Sequence, residues 1–377
     1  MSAGRLRGPA GRRPSRRGGR RLIAAAGAGV SALTAAGAAR LAYSALIRRP
    51  PGGTRAWSRT NHRGESVTLL EGPAAAAGAI AGVLAWAGLQ SVAGSADGPA
   101  GGRAAWRVAA AMTVAGAGAA GFGSYDDLAG SSDRRGFRGH LGALRNGEVT
   151  TGAVKLGGIG ATGIASAALI GGNAADLVLN TGLVAGFANL LNLFDLRPGR
   201  AIKAAIASSA LIAWPAGRRR AGATGPGGTS ASALLPPLAA ALALLPEDLG
   251  ERAMLGDAGA NALGAMLGAA ASGLSRPARI ALVAGIAGLT AASEKVSFTA
   301  VIERTPALRR LDMLGRRPVP PQPAVIIPVQ RLADQDGEGR PDGGWRHRGQ
   351  RQDTMGLAGH PPTGRPAEDT DIAPPRE

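Results

Sequence analysis

The chain has no cysteine, which excludes thiolate catalysis, disulfide staples and cysteine-ligated metals. Aromatic residues make up only 3% of its 377 residues. Nucleic-acid binders interleave stacking aromatics with their basic side chains, so a net charge of +18 built almost entirely from arginine is a poor signature of RNA or DNA binding, and no nucleic-acid partner is expected. The Ala, Gly and Arg excess, with 60 glycines, matches neither a disulfide-rich secreted protein nor an ordinary soluble domain. Acids are scarce too, 25 against 43 Lys and Arg, so the few places where they gather carry information.

Charge is missing from long stretches as well. Apolar segments run roughly over 22–47, 73–95, 104–125, 152–172, 174–194, 201–215, 231–246, 258–275 and 278–293. Most have the length that a helix needs to cross a hydrocarbon core of about 30 Å. A soluble Ala-rich bundle would carry a polar stripe at helical spacing, and "PAAAAGAIAGVLAWAGLQ" carries none. The expected fold is therefore all-α, a polytopic membrane bundle of about nine transmembrane helices (eight to eleven) in contact with a lipid bilayer. Gly and Ala suit such helices, because small side chains let backbones approach closely where lipid supplies no hydrophobic drive. Residues 1–21, with eight arginines, and residues 318–377, rich in Pro, Gly and both charge signs, read as disordered tails around a transmembrane domain over 22–317. "RRLIAAAGAGVSALTAAGAA" also has the look of a secretory signal, but the apolar segments downstream favour a first membrane helix.

Connections after odd-numbered segments hold most of the basic residues, among them Arg48, Arg49, Arg63, Arg134, Arg135, Arg197, Arg200, Arg309 and Arg310. By the positive-inside rule that face is cytoplasmic in a multi-pass plasma-membrane protein. The basic N-terminal tail then falls on the other face; either the count near the start is off by one or the tail is an exception.

The acids fall on the basic face. "GSYDDLAG" puts Asp126 and Asp127 at the end of the third segment, where a helix C-terminus already carries partial negative charge and two carboxylates need compensation. "NLLNLFDLRPG" places Asn189, Asn192 and Asp195 at i, i+3, i+6, on one side of a helix, and "MLGDAGANALG" places Asp257 at the start of the eighth segment. An N-cap explains Asp257 alone, and interhelical hydrogen bonds explain the asparagines alone. Agreement of three clusters in face, depth and polarity points to a shared site, and acids beside bases at a membrane surface suit Mg²⁺-assisted phosphoryl transfer.

These stretches, together with "NHRGESVTLLEG", resemble in order the motifs of the polyprenyl-phosphate sugar-1-phosphate transferases of glycosyltransferase family 4, which include phospho-MurNAc-pentapeptide translocase and the polyprenyl-phosphate GlcNAc-1-phosphate transferases. The resemblance covers residues 48 to 300. It implies an enzyme of cell-wall biogenesis that moves a sugar 1-phosphate from a UDP-sugar to polyprenyl phosphate at the cytoplasmic face, with Mg²⁺ bound and UMP released; a homodimer is compatible with it. It also implies that Asp257 and Asp127 bind metal and that Asp126 and Asp127 bind metal or deprotonate the lipid phosphate. Asn189, Asn192 and Asp195 would shape the nucleotide and metal site, with Lys155 and Arg63 on phosphate. The chain departs from the family pattern at Gly130, where Lys is usual, at Pro198, where Asp is usual, and in lacking a His motif after the last segment, since its histidines are His62, His140, His347 and His360. An inactive relative that binds polyprenyl phosphate or acts as a scaffold is the alternative; a transporter would call for internal repeats, which are not evident.

Two further patterns are decoys. Gly158, Gly160 and Gly163 in "GGIGATG" match dinucleotide-binding spacing but sit inside an apolar segment with no strand before them, which indicates helix packing. The run Arg218–Arg220 reads as a solvated loop, with a lipid-headgroup patch as the other reading.

Overall fold

The computed structural model describes residues 16–93, 99–129, 150–218 and 231–318; the outer parts of both tails, Gly130, and the loop holding Arg134, Arg135 and His140 lie outside the described residues. The fold is an all-α helical bundle. Its long helices are α1 (Arg16–Arg48), α2 (Glu71–Ala93), α3 (Pro99–Ala129), α4 (Thr151–Ile170), α5 (Ala174–Phe194), α6 (Arg200–Arg218), α7 (Leu235–Leu249), α8 (Gly256–Ala271) and α9 (Arg276–Ser293). Two short helices follow, α10 (Phe298–Arg304) and α11 (Pro306–Met313).

Local chemistry sets the helix boundaries. The Thr150 hydroxyl accepts from the Ala153 amide at 3.1 Å and starts α4. Asn173 and Asp176 form a reciprocal capping box at the start of α5. Prolines in the first turn of α7, α9 and α11 need no amide partner there. The segment between α1 and α2 folds into a small antiparallel hairpin, β1 (Ser58–Thr60) and β2 (Ser66–Thr68). Its turn is closed by Asn61, whose side-chain oxygen accepts from the amides of Arg63 and Glu65 at 2.8 and 2.9 Å.

Among the described residues, five helices are long and apolar enough to cross a membrane, namely α1, α2, α4, α5 and α7 with its leading turn, and a sixth if α9 and α10 form one bent span. The expected count of about nine is thus supported only in its coarser form, several apolar helices in a bundle. The physical reason is clearest in α8. With 16 residues it is shorter than a typical span, and every residue from Ala258 to Ala271 is buried. It packs against α2, α3, α5, α6 and α7, so it faces protein and needs no lipid-level hydropathy.

The approach of α8 to its neighbours depends on residues without side chains. A methyl group on Gly123 of α3 would strike the Asp257 carbonyl and Ala258, and one on Gly72 of α2 would strike the Leu255 carbonyl and the Gly259 amide. Gly123→Ala is expected to cost about 1–3 kcal/mol through overpacking. The Gly121→Ala variant, whose new methyl meets open space on the same helix, is expected to be neutral or stabilising by up to about 1 kcal/mol. Retention of a monodisperse gel-filtration peak after graded heating checks the pair.

Candidate functional site

The site is built where the C-terminal end of α3 meets the N-terminal end of α8. Helix α8 begins at Gly256 with φ of +58°, a left-handed turn that aims its first amides back at α3. Asp127 meets them with both oxygens: Oδ1 accepts from the Asp257 amide at 3.1 Å and Oδ2 from the Ala258 amide at 2.9 Å. The orphan donors of a buried helix start are thereby satisfied by an acid, and the positive end of the α8 dipole compensates the charge that the end of α3 disfavours. Asp126 is neutralised differently. Lys155, in the first turns of α4, places its Nζ 2.8 Å from Asp126 Oδ2 and 2.6 Å from Asp257 Oδ2. Three helices thus converge through one ammonium and three carboxylates.

Through Lys155 this constellation reaches the polar end of a cavity of about 620 Å³ between α4, α5, α8 and α9. Leu156, Ile159, Val283, Ile286 and Ala287 line its apolar part; Lys155, Asn189, Asn192, Asn261 and Glu294 line the polar part. Asn261, buried, donates to the Asp257 carbonyl at 2.7 Å. Asn189 donates to Thr290 of α9 at 3.1 Å, a bond that ties α5 to α9 at the cavity wall.

Asp195 lies apart from the two asparagines of its own motif. It caps α5 beside the start of α8 and lines a second, smaller cavity of about 170 Å³ with Asn61, His62, Arg197, Asp248 and Glu251. Burial holds its carboxyl well above the usual carboxylate range, helped by the charges of Asp248, Asp257 and Asp127, while a hydrogen bond from the Gly256 amide opposes the rise. Burial and the neighbouring Arg197 hold His62 below the ordinary histidine range, so it is neutral at pH 7.

The structure places Arg63 with different partners from those of the other site residues. Its Nε lies 3.0 Å from Glu251 Oε1, and its terminal nitrogens donate to the carbonyls of Arg317 and Pro318 at 3.0 Å. The guanidinium fixes the hairpin turn to the α7–α8 loop and to the chain after α11. Glu251, buried with φ of +55°, also accepts from Asn61 at 3.0 Å. Strand β2 adds backbone bonds to the same loop, with the Met254 amide donating to Thr68 at 3.0 Å. The hairpin therefore sets the position from which Gly256 and Asp257 enter the site.

Sequence reasoning missed four acids of this architecture. Asp248 accepts from the Gly199 amide at 3.0 Å; Glu251 holds the turn; Glu71 at the start of α2 is fully buried. Asp312 receives Arg200 in bidentate fashion at 2.8 and 3.0 Å and Arg316 at 2.7 Å. Glu71 stands in the stretch "NHRGESVTLLEG" without having been singled out there; the other three belong to no motif, and their only signal in the sequence was that they are acids in a chain poor in acids.

No group of three or more His, Asp or Glu side chains within metal-binding reach occurs among the described residues. The oxygens of Asp126 and Asp257 that meet on Lys155 are hard donors of the kind Mg²⁺ takes, one or two per ion with phosphate and water completing the shell. Both oxygens of Asp127 are engaged by backbone amides, so the pair that fits a cation best is Asp126 with Asp257.

Two outcomes test this geometry. A raised carboxyl binds its proton more tightly in the folded chain than in the unfolded one, so its contribution is complete below the ordinary carboxylate range and is lost as pH rises toward the folded value. Asp195→Asn is therefore expected to flatten the loss of stability with rising pH and to raise the thermal midpoint at pH 7 by about 2–4 °C. Asp312→Ala leaves Arg200 and Arg316 buried without their partner and is expected to cost about 3–5 kcal/mol, read as the same midpoint.

No family model matches the chain, and no curated protein matches it.

Proposed function

We propose that the protein is an integral membrane transferase that moves a sugar 1-phosphate from a UDP-sugar to a polyprenyl phosphate with Mg²⁺, at the basic, cytoplasmic face of a bundle of about nine spans, in cell-envelope synthesis. The observation that carries this reading is Lys155, bridging Asp126 and Asp257 at the polar end of an otherwise apolar cavity between helices. A lipid phosphate has the matching shape: a charged head for the ammonium and an isoprenoid chain for the apolar walls.

In this reaction an oxygen of the lipid phosphate attacks the β-phosphorus of the UDP-sugar, and the bond to the bridging oxygen breaks so that UMP leaves with it. Bound Mg²⁺ would be held by Asp126 and Asp257 and would neutralise the diphosphate. Lys155 offsets the charge that builds on the phosphoryl oxygens and swings between carboxylate and phosphate as substrate enters. Asp127 keeps the Asp257 backbone in register and stays an acceptor throughout. Asn189 and Asn192 offer neutral donors along the cavity wall, and Asp195 supports the α8 start from behind.

A second reading, an inactive relative that holds polyprenyl phosphate without turnover, draws support from the commitment of Arg63 to Glu251 and the carbonyls of Arg317 and Pro318. The two readings part on one assay. Full-length protein given undecaprenyl phosphate, Mg²⁺ and UDP-N-acetylhexosamines is expected to release UMP in a lipid-dependent, EDTA-sensitive manner, with Asp257→Asn and Lys155→Ala each lowering the rate by about 10²–10³-fold. Retained lipid-phosphate binding without release from any UDP-sugar would overturn the enzyme and leave the inactive relative.

A further inference from the structure

We propose that the α10–α11 elbow binds an anionic phospholipid surface beside the candidate site. This inference rests on the membrane reading of the bundle and not on the transferase reading. Helices α9 and α10 meet at 91°. A helix at right angles to a membrane-crossing neighbour runs along the bilayer plane, and α10 and α11 sit at the end of the bundle where Arg200, Arg63 and Asp312 join the surrounding segments.

The charges at this end divide into two sets. Arg63, Arg200, Arg316 and Arg317 are each matched to an acid: Glu251, Asp312, Asp312 and Glu65. Lys295, Arg304, Arg309 and Arg310 are exposed and have no ion-pair partner among the described residues. Glu294 and Glu303 are the exposed acids that oppose them, two against four cations, which leaves the elbow positive. Polar residues on a solvated face do not explain its apolar ones, because Val301, Leu308 and Leu311 are 40%, 41% and 62% exposed. Leu308 and Leu311 lie one turn apart on α11, and Val301 and Arg304 share a side of α10. Leucine beside unpaired arginine on an outward face is the pattern of an interfacial helix, in which the apolar group enters the acyl boundary and the guanidinium meets headgroup phosphate.

The inner side of the elbow is held rigidly. Asp312 is buried against Arg200, and the Lys203 ammonium donates to the carbonyls of Asp312 and Leu314 at 2.7 and 2.8 Å. Arg200 opens α6 five residues after Asp195, so lipid contact at α11 reaches the wall of the smaller cavity through one buried ion pair.

Because the chain lacks cysteine, Ala307→Cys gives a unique thiol for an environment-sensitive fluorophore. The labelled full chain is reconstituted in phosphatidylcholine vesicles with and without phosphatidylglycerol, and emission is read with spin-labelled lipid and with iodide as quenchers. Phosphatidylglycerol is expected to increase quenching by spin-labelled lipid and to protect from iodide. High salt is expected to reverse the change, and Arg309→Gln with Arg310→Gln to remove it, at about fivefold in the bound-to-free ratio per charge. Equal quenching in both vesicles, or a response that survives loss of both arginines, overturns the proposal. So does a response to undecaprenyl phosphate in phosphatidylcholine with none to phosphatidylglycerol, which would assign the surface to the substrate lipid.

Discussion

The start of α8 is a buried helix terminus, and its amide groups must find acceptors inside the protein or destabilise the whole bundle. Asp127 supplies two of them from a neighbouring helix. Once that bond exists, Asp257 lies opposite Asp126, and a cation between them becomes necessary; Lys155 meets the need from a third helix. One satisfied terminus thus produces a cluster of charge within an apolar bundle. The chemistry offered there, an ammonium shared by carboxylates at the end of an apolar cavity, follows from packing before any ligand arrives.

A second layer of ion pairs keeps that terminus in place. The α7–α8 loop would be free to shift were it not bonded to the hairpin through Thr68 and through Glu251 with Asn61 and Arg63. Glu251 holds a left-handed backbone that a side chain rarely accepts, at a cost of about 1 kcal/mol or more, and the surrounding bonds offset it. Arg63, which the family resemblance assigns to phosphate, belongs to this supporting layer. Its carbonyl partners at Arg317 and Pro318 extend the same bracing to the chain beyond α11.

Much of this was legible from residue order. The nine apolar stretches fall on α1 to α9, because helical periodicity is a local property. Asp126, Asp127, Lys155 and Asp257 meet through tertiary contacts that a shared face and polarity pointed to and that spacing along the chain does not fix. The split of Asn189 and Asn192 from Asp195 was not legible. Spacing at i, i+3, i+6 shares a face only while the helix lasts, and α5 ends at Phe194, so Asp195 turns toward a different cavity. Nor could spacing show the partners of Asp312 or Glu251, which lie 112 and 188 residues from Arg200 and Arg63. The hairpin escaped notice because strands of three residues are too short for alternation to show. The length test for membrane helices fails at α8 for the opposite reason: burial in protein relieves the sequence of the composition that lipid demands.

That enclosure has a consequence for biogenesis. In a membrane, a segment of 16 residues rich in Gly and Ala with an acid in its first turn is a poor substrate for insertion by its own partitioning. Its packing partners α2, α3, α5, α6 and α7 all precede it in the chain and emerge from the ribosome first. Inserted in chain order, α8 would meet a groove already lined with protein, holding the acceptor for its amides and the counter-ion for its aspartate. Its place at the centre would then be set by its neighbours rather than by its own partitioning into lipid.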